Sequence, residues 1–491
     1  MARTAPIAIL CAGLALSACA TPPASAQAID WLADQGGVAV SRQPSSARLD
    51  AMGGLEVSVA DENRELNLLD YGRNVCGFLT DSDYRRWELW QGTNRSVRDI
   101  RDASGARTRT RTDLSEIGGR MAWRNEGTRV LGADFVFDDL RSSLERGPNT
   151  KIRGPMSGIF AAQKLSLLTV GGSIHLISDN EDLRSESVFA IRHESSGVRG
   201  TGGIALDLGS LLLGAQIESQ SNTIRGLSRD ESRFHEDKLT WKRPSKVYDL
   251  SAFWTPTEML AGAVRARIVQ VDGREEVKIS WSDRMPDNPS RSNFLERTGT
   301  FKETRDGTEI GTRWEVVPID RVRVGARIDR SKIDDTVIEG KNYKGSRRAQ
   351  DTSDELLSGG GGASYETSDG RFRVGAEGWY TTLDSKAKGI EETTQTKSRQ
   401  IEFRTGGEYF VRDRFALRGG FQRIAFDSDR DHPRTLEVGN GYTLGVGYVA
   451  RGGLYQLDAA IRILNMDPDY SGFPNREDAR TSITLGARFL L

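Results

Sequence analysis

The sequence predicts an all-β chain, an antiparallel transmembrane β-barrel of about eighteen strands preceded by a short N-terminal periplasmic or plug segment. Three observations predict it. Apolar residues alternate with charged or very small ones in one segment after another, short turns succeed long polar stretches down the chain, and aromatic residues gather beside the short turns on the apolar parity. A period of two with one apolar face is what a membrane barrel requires, because lipid-facing and lumen-facing side chains must alternate. One hairpin of that kind would also suit a soluble sandwich, so recurrence carries the argument.

The alternation is plainest near the C-terminus. Tyr455, Leu457, Ala459, Ile461 and Ile463 share one face while Gln456, Asp458 and Arg462 share the other, and Ile483, Leu485, Ala487, Phe489 and Leu491 alternate with Ser482, Thr484, Gly486 and Arg488. Earlier segments repeat it. Leu260, Gly262, Val264, Ala266 and Ile268 oppose Ala261, Ala263, Arg265 and Arg267; Val322, Val324, Ala326 and Ile328 oppose Arg321, Arg323, Gly325, Arg327 and Asp329. Phe372, Val374, Ala376 and Tyr380 oppose Arg373, Gly375, Glu377 and Trp379.

Length and composition agree with one large repetitive architecture. The chain has 491 residues, 28% of them charged, and no Pro-rich or Ser-rich linker divides it. Its mean hydropathy is -0.50, and beyond the first twenty or so positions no apolar run approaches the ~20 residues of a membrane helix. Only alternate residues of a barrel strand meet lipid, so such a chain spans a membrane without a long apolar run. A formal net charge of -1 excludes a globally basic nucleic-acid binder.

Taken in order, residues 1–26 read as a secretory signal, with Arg3 before the apolar run Ile7 to Ala18. Two cleavage readings stay open: Ala24-Ser25-Ala26 suits an ordinary signal peptidase, whereas Leu16-Ser17-Ala18-Cys19 has the form of a bacterial lipobox that would lipidate Cys19. Cys11 leaves with the signal, so Cys76 has no disulfide framework to join. Residues 27–84 form a separate N-terminal segment, and 85–491 the barrel. Short turns fall at Arg124 to Gly127, Leu165-Ser166, Gly209-Ser210, Thr255 to Thr257, Pro318 to Asp320, Ser368 to Gly370, Arg412-Asp413 and Ala450 to Gly453. Between them lie long polar stretches, among them Ser221 to Ser245, Val271 to Gly307, Ser331 to Ser353, Asp384 to Lys397 and Met466 to Arg480. Eight short turns on one rim imply about eighteen strands, and counts of about sixteen or fourteen stay open.

In the N-terminal segment, Ala51-Met52-Gly53-Gly54-Leu55-Glu56-Val57-Ser58-Val59-Ala60-Asp61-Glu62 and Leu66-Asn67-Leu68-Leu69-Asp70-Tyr71-Gly72-Arg73-Asn74 resemble the entry segment of the FadL and PorV-like outer-membrane barrels. That group has a Met-Gly-Gly turn, a short strand, an acidic turn and an Asn-Pro-Ala-Gly-Leu-like element. Val75 and Cys76 stand where its pattern has Pro and Ala. The resemblance implies a bacterial outer-membrane barrel, and for this segment either a plug inside the barrel or a strand and turn at its periplasmic base.

The aromatic girdle of such a barrel lies at headgroup level. Trp123, Trp254, Trp314, Phe372, Tyr409, Phe415, Tyr448 and Tyr455 all lie near short turns with apolar parity and are the girdle candidates. The lumen-facing candidates are Arg265, Arg267, Arg313, Arg323, Arg327, Arg373, Arg418 and Arg462, with the acids Glu315, Glu377 and Asp458. Such a face either draws anionic solutes through a water-filled pore or braces a solvated wall through cross-strand ion pairs.

The four histidines, His175, His193, His235 and His432, have neither metal-ligand nor Ser-His spacing. The sequence therefore points away from an enzyme and to no metal or cofactor. The expected role is porin-like passive passage of small solutes across the bacterial outer membrane, with a preference for anions left open. The alternatives are a non-transporting scaffold for periplasmic or surface protein partners and a FadL-like transporter of hydrophobic substrates. Outer-membrane lipid is the expected surrounding, with a homo-oligomer open and no nucleic acid as partner.

Overall fold

In a computed structural model, the described residues are 48, 51, 52 and 55 together with eighteen strands between 85 and 490 and most of their short turns. The signal and lipobox positions, including Cys19, the remainder of 27–84, including Cys76, and His432 lie outside the described residues. The strands are β1 (Arg85–Arg101), β2 (Arg107–Asn125), β3 (Arg129–Leu144), β4 (Asn149–Leu165), β5 (Leu168–Arg184), β6 (Phe189–Asp207), β7 (Leu211–Asp230), β8 (His235–Thr257), β9 (Leu260–Asp283), β10 (Asn293–Ile319), β11 (Val322–Glu339), β12 (Gln350–Glu366), β13 (Phe372–Lys388), β14 (Thr393–Arg412), β15 (Phe415–Arg430), β16 (Thr435–Val449), β17 (Tyr455–Asp469) and β18 (Arg476–Leu490).

Each strand pairs antiparallel with its sequence neighbours, and β1 pairs with β18 as well as β2, so the sheet closes on itself. Closure satisfies every strand's backbone within the sheet and leaves no open edge, the condition for crossing hydrocarbon with strands. The eight short turns of the sequence reading connect β2 to β3, β4 to β5 and so on to β16 to β17. Ser166 and Gly370 adopt φ of 60° and 67° in two of these turns. Arg321, expected on the inward face of a strand, instead sits in the β10–β11 turn with φ 78° and is exposed.

Strand lengths differ from the expectation. The stretches Ser221 to Ser245 and Val271 to Gly307, read as polar loops, are largely strand: β7 continues to Asp230, β8 begins at His235, β9 continues to Asp283 and β10 begins at Asn293. A tilted strand crosses the hydrocarbon in ~9–11 residues, whereas β8, β9 and β10 have 23, 24 and 27. They therefore project well past the membrane on the rim away from the short turns. There both faces meet water, and the alternation that marks a strand in sequence fades.

The outward face defines the membrane level. On β11 the outward residues run Val322, Val324, Ala326 and Ile328 from the short turn, and then change to Arg330, Lys332 and Asp334. On β8 the change comes between Tyr248 and Lys246, and on β9 between Ile268 and Gln270. The apolar belt is thus level around these strands and lies against the short-turn rim, as a transmembrane β-barrel requires.

Candidate functional site

Chemistry that could act on a solute sits inside the barrel, and the inward face is built differently on its two sides. From β8 to β17 it is a wall of paired charge. Asp249 on β8 accepts from Arg265 on β9 through both oxygens, Nη2 to Oδ2 at 2.7 Å and Nε to Oδ2 and Oδ1 at 3.1 and 3.3 Å. Arg323 Nε lies 3.1 Å from Glu315 Oε1, Arg327 Nε lies 2.6 Å from Asp329 Oδ2, and Arg305 Nη2 donates to Asp335 Oδ2 at 2.6 Å. Arg267 and Arg313 are buried on the same wall.

The next strands continue it. On β14, Arg404 Nε donates to Glu402 Oε1 at 2.5 Å, and its guanidinium lies over the Trp379 ring at 5.5 Å. Trp379 Nε1 in turn donates to Glu377 Oε2 at 3.1 Å. Gln422 donates to Glu402 and accepts from Arg462, which links β14, β15 and β17. This is compatible with close backbone approach: a Cβ at Gly360 would lie 2.3 Å from the Trp379 ring, so only a glycine there lets the indole lie flat. The Gly359 to Gly362 run thus leaves room for a neighbouring side chain.

Glu408 on β14 is the centre of this wall. It is fully buried and takes Arg418 Nε on Oε1 at 2.7 Å, while Arg373 Nη1 approaches Oε2 at 3.6 Å. Arg418 also donates through Nη1 to Asp458 Oδ1 at 2.5 Å. The remaining partner comes from the N-terminal segment: Arg48 donates through Nε to Oε1 at 3.1 Å and through Nη2 to Oε2 at 2.7 Å. Beside it, the Thr443 hydroxyl donates to the Ala51 carbonyl at 2.9 Å. Two inward glycines receive the same segment, since a Cβ at Gly406 would stand 2.1 Å from the Met52 carbonyl oxygen and one at Gly445 would stand 2.3 Å from the Ala51 Cβ. Arg48, Ala51 and Met52 therefore lie in the lumen, seated on β14 to β16.

The other side, β2 to β7, departs from the inward face of charged or very small residues that the sequence reading expects. Ala122, Val130, Phe160, Ala162 and Ala205 form one buried apolar cluster, with Leu212 packed on it, and Val136, Met156 and Ile177 form another. Their parity is inward. A polar row separates the clusters, running in register through Arg120, Asp134, Gly158, His175, Arg199 and Gln220. His175 crosses the space above Gly158, where a Cβ would be 2.1 Å from its ring, and brings Nε2 to 3.0 Å from Asp134 Oδ1.

Of the lumen-facing candidates, Arg265, Arg267, Arg313, Arg418, Glu315 and Glu377 are buried; Arg323, Arg327, Arg373, Arg462 and Asp458 are more open. The structure brings Arg323 together with Glu315 and Arg418 with Asp458, and it brings Arg373 and Arg418 to the same carboxylate. The sequence reading had no signal for Arg48, His175 or Asp134 as parts of the lumen. The girdle candidates Trp123, Trp254, Trp314, Phe372, Tyr409, Phe415, Tyr448 and Tyr455 all point outward next to the short turns, Trp123 being 67% exposed. Trp254 and Trp314 meet edge to face at 6.5 Å, and the Tyr448 and Tyr455 rings lie tilted to each other at 5.9 Å.

Neither the protein-family models nor the curated proteins compared with it match this sequence. Solved structures do resemble the chain. The Pseudomonas putida toluene transporter TodX aligns with 92% of this chain and 99% of its own at 11% identity, TM-score 0.39. The copper transporter OprC aligns with 82% and 80% at 10% identity, TM-score 0.45. The siderophore receptor PiuA from Acinetobacter baumannii aligns with 81% of each chain at 8% identity, TM-score 0.39.

Proposed function

We propose that this protein is a bacterial outer-membrane transporter for small solutes whose lumen is closed at rest by its own N-terminal segment. The observation that carries the reading is the pair formed by Arg48 and Glu408 inside the barrel. A guanidinium and a carboxylate removed from water are held only by mutual pairing, so the segment is seated at a defined place rather than lying loosely in a wide pore. Charge pairing along β8 to β17 supports the same reading. Arginines already engaged with Asp249, Glu315, Asp329, Glu402 and Glu408 contribute little field to a passing ion and much cohesion to the wall. Once the segment leaves its seat, the solute path opens beside the β2 to β7 wall, whose apolar clusters are buried at rest. Arg323 and Arg373, the partly exposed members of those pairs, leave passage only a weak preference for anions.

Single-channel recording of the refolded full-length protein in a planar bilayer, under a salt gradient, tests this. The native chain should show rare openings, and Arg48→Glu, which sets two carboxylates against each other, should show steady ones with an anion-selective reversal potential. Exchange of Arg323 and Arg373 for Gln in that background should weaken the selectivity. Silence from both chains, each folded and heat-modifiable on gels, would overturn transport and favour a scaffold that binds partner proteins.

A further inference from the structure

Just beyond the apolar belt, on the outward face of β1 to β4, arginines outnumber carboxylates among the described residues. Arg95 and Arg111 share Asp113, each donating through Nε to a different oxygen at 2.6 and 2.7 Å. One strand further, Arg141 donates to both oxygens of Asp139 at 3.1 and 2.9 Å, and Arg153 Nε approaches Oδ2 of the same carboxylate at 3.5 Å. The two groups adjoin, because Asp113 and Arg141 are opposite each other between β2 and β3. Four guanidinium groups on two carboxylates leave an excess of positive charge, and the arginine side chains are 46% to 61% exposed.

Position gives this excess its meaning. On the same strands the outward residues nearer the short turns are Leu89, Ile117, Phe135, Phe137 and Ile159, all exposed and apolar. The cluster begins where they stop, at the height of lipid headgroups. On β11 and β12 the outward charges at this height are balanced: Arg330 has Glu355 at 2.6 Å and Lys332 has Asp334 at 2.8 Å. Fixed forks of guanidinium donors suit phosphate oxygens, which they bind in pairs.

We propose that Arg95, Arg111, Arg141 and Arg153 hold the phosphate-bearing headgroup of an anionic membrane lipid, whose acyl chains lie along Ile117, Phe135, Phe137 and Ile159. The site is on the outside of the barrel and is independent of whether the lumen conducts. Each basic side chain near an anionic lipid surface contributes a few-fold in affinity, so losing three should weaken binding by roughly tenfold or more.

Native mass spectrometry of the full chain in nonionic detergent tests the assignment, with phosphatidic acid as probe, phosphatidylcholine as neutral comparator and inorganic phosphate as headgroup alone. Phosphatidic acid should be retained over phosphatidylcholine, and the combined Arg111→Gln, Arg141→Gln, Arg153→Gln chain should lose that preference. The Arg330→Gln, Lys332→Gln chain should keep it. Asp113→Asn with Asp139→Asn enlarges the excess charge and should tighten binding, a second reading should the triple variant fail to fold. Equal retention of the two lipids, equal loss in the β11 variant, or retention of inorganic phosphate as strong as that of the lipid would overturn the proposal.

Discussion

Arg48 and Glu408 are separated by 360 positions in the chain, yet each of the two carboxylate oxygens accepts a hydrogen bond from the guanidinium, at 3.1 and 2.7 Å, with both side chains buried. Glu408 also serves Arg418, so the N-terminal segment completes a cluster that the barrel wall has already begun. Stranding one partner of a buried ion pair costs ~3–5 kcal/mol, and because Arg418 still serves Glu408 the loss of Arg48 costs less than that. Arg48→Ala should therefore loosen the segment while the barrel, still braced by Arg418 and Asp458, stays closed. Limited proteolysis of protein in vesicles, with protease on the short-turn side, should cut near residue 48 much faster in the variant. Equal rates would mean that the pair does not hold the segment.

The same seat can be tested without touching a charge. Gly406 meets the Met52 carbonyl so closely that an added Cβ would stand 2.1 Å from its oxygen. That oxygen is backbone and cannot swing aside. Gly406→Ala should expel the segment, raising conductance and protease sensitivity together, whereas Gly378→Ala, where a Cβ would meet nothing within 4 Å, should change neither. Gly406 faces the lumen from a strand that is paired on both sides, so heat-modifiable gel mobility should be retained in both variants.

Acid should act on the β12–β13 turn in a defined direction. The Asp369 carboxyl is held below the usual carboxylate range, first by the Thr367 hydroxyl, which donates to Oδ1 at 2.6 Å, and then by the Arg371 amide at 3.1 Å. A folded-state value below the unfolded one gives stabilisation that is complete above about pH 4 and is lost as pH falls through the folded value. A carbon-detected NMR titration should place Asp369 below a free aspartate, and Thr367→Ala should move it back up. An unchanged midpoint in the variant would remove the hydroxyl from the account.

Much of the barrel is legible in the residues, and the reason is solvent. Where one face meets lipid, as at Val322 to Ile328, alternation is sharp and the turn positions follow from it. Beyond the belt both faces meet water, and Val271 to Gly307 reads as a loop although most of it is strand. On β3 the failure is opposite: Val130 and Val136 point inward while Leu131, Phe135 and Phe137 point outward, so an apolar run hides which face lines the lumen. Ion-pair partners depend on register. Parity marks Arg265 as inward, but its pairing with Asp249 requires knowing that β8 and β9 align Asp249 with Arg267 and Ser251 with Arg265. Arg48 carries no such mark at all, since its partner lies on the far end of the chain.

The outward aromatics make the last prediction. Trp254 and Trp314 stand on neighbouring faces of β8 and β10 across Gly262, which has no side chain to part them; a Cβ there would be 2.7 Å from the Trp314 ring. Edge-to-face contact adds ~0.5–1.5 kcal/mol beyond the area that the rings bury, and indoles favour the headgroup level. Replacing either ring by Leu keeps an apolar surface but loses both terms, so each variant should fold into vesicles less completely, and the double variant should lose less than the two singles added. Quenching of Trp254 and Trp314 by lipids brominated at different depths should be strongest for bromines nearest the headgroups. Quenching that peaks at the bilayer centre would displace the belt from the short-turn rim, and with it the depth assigned to every strand.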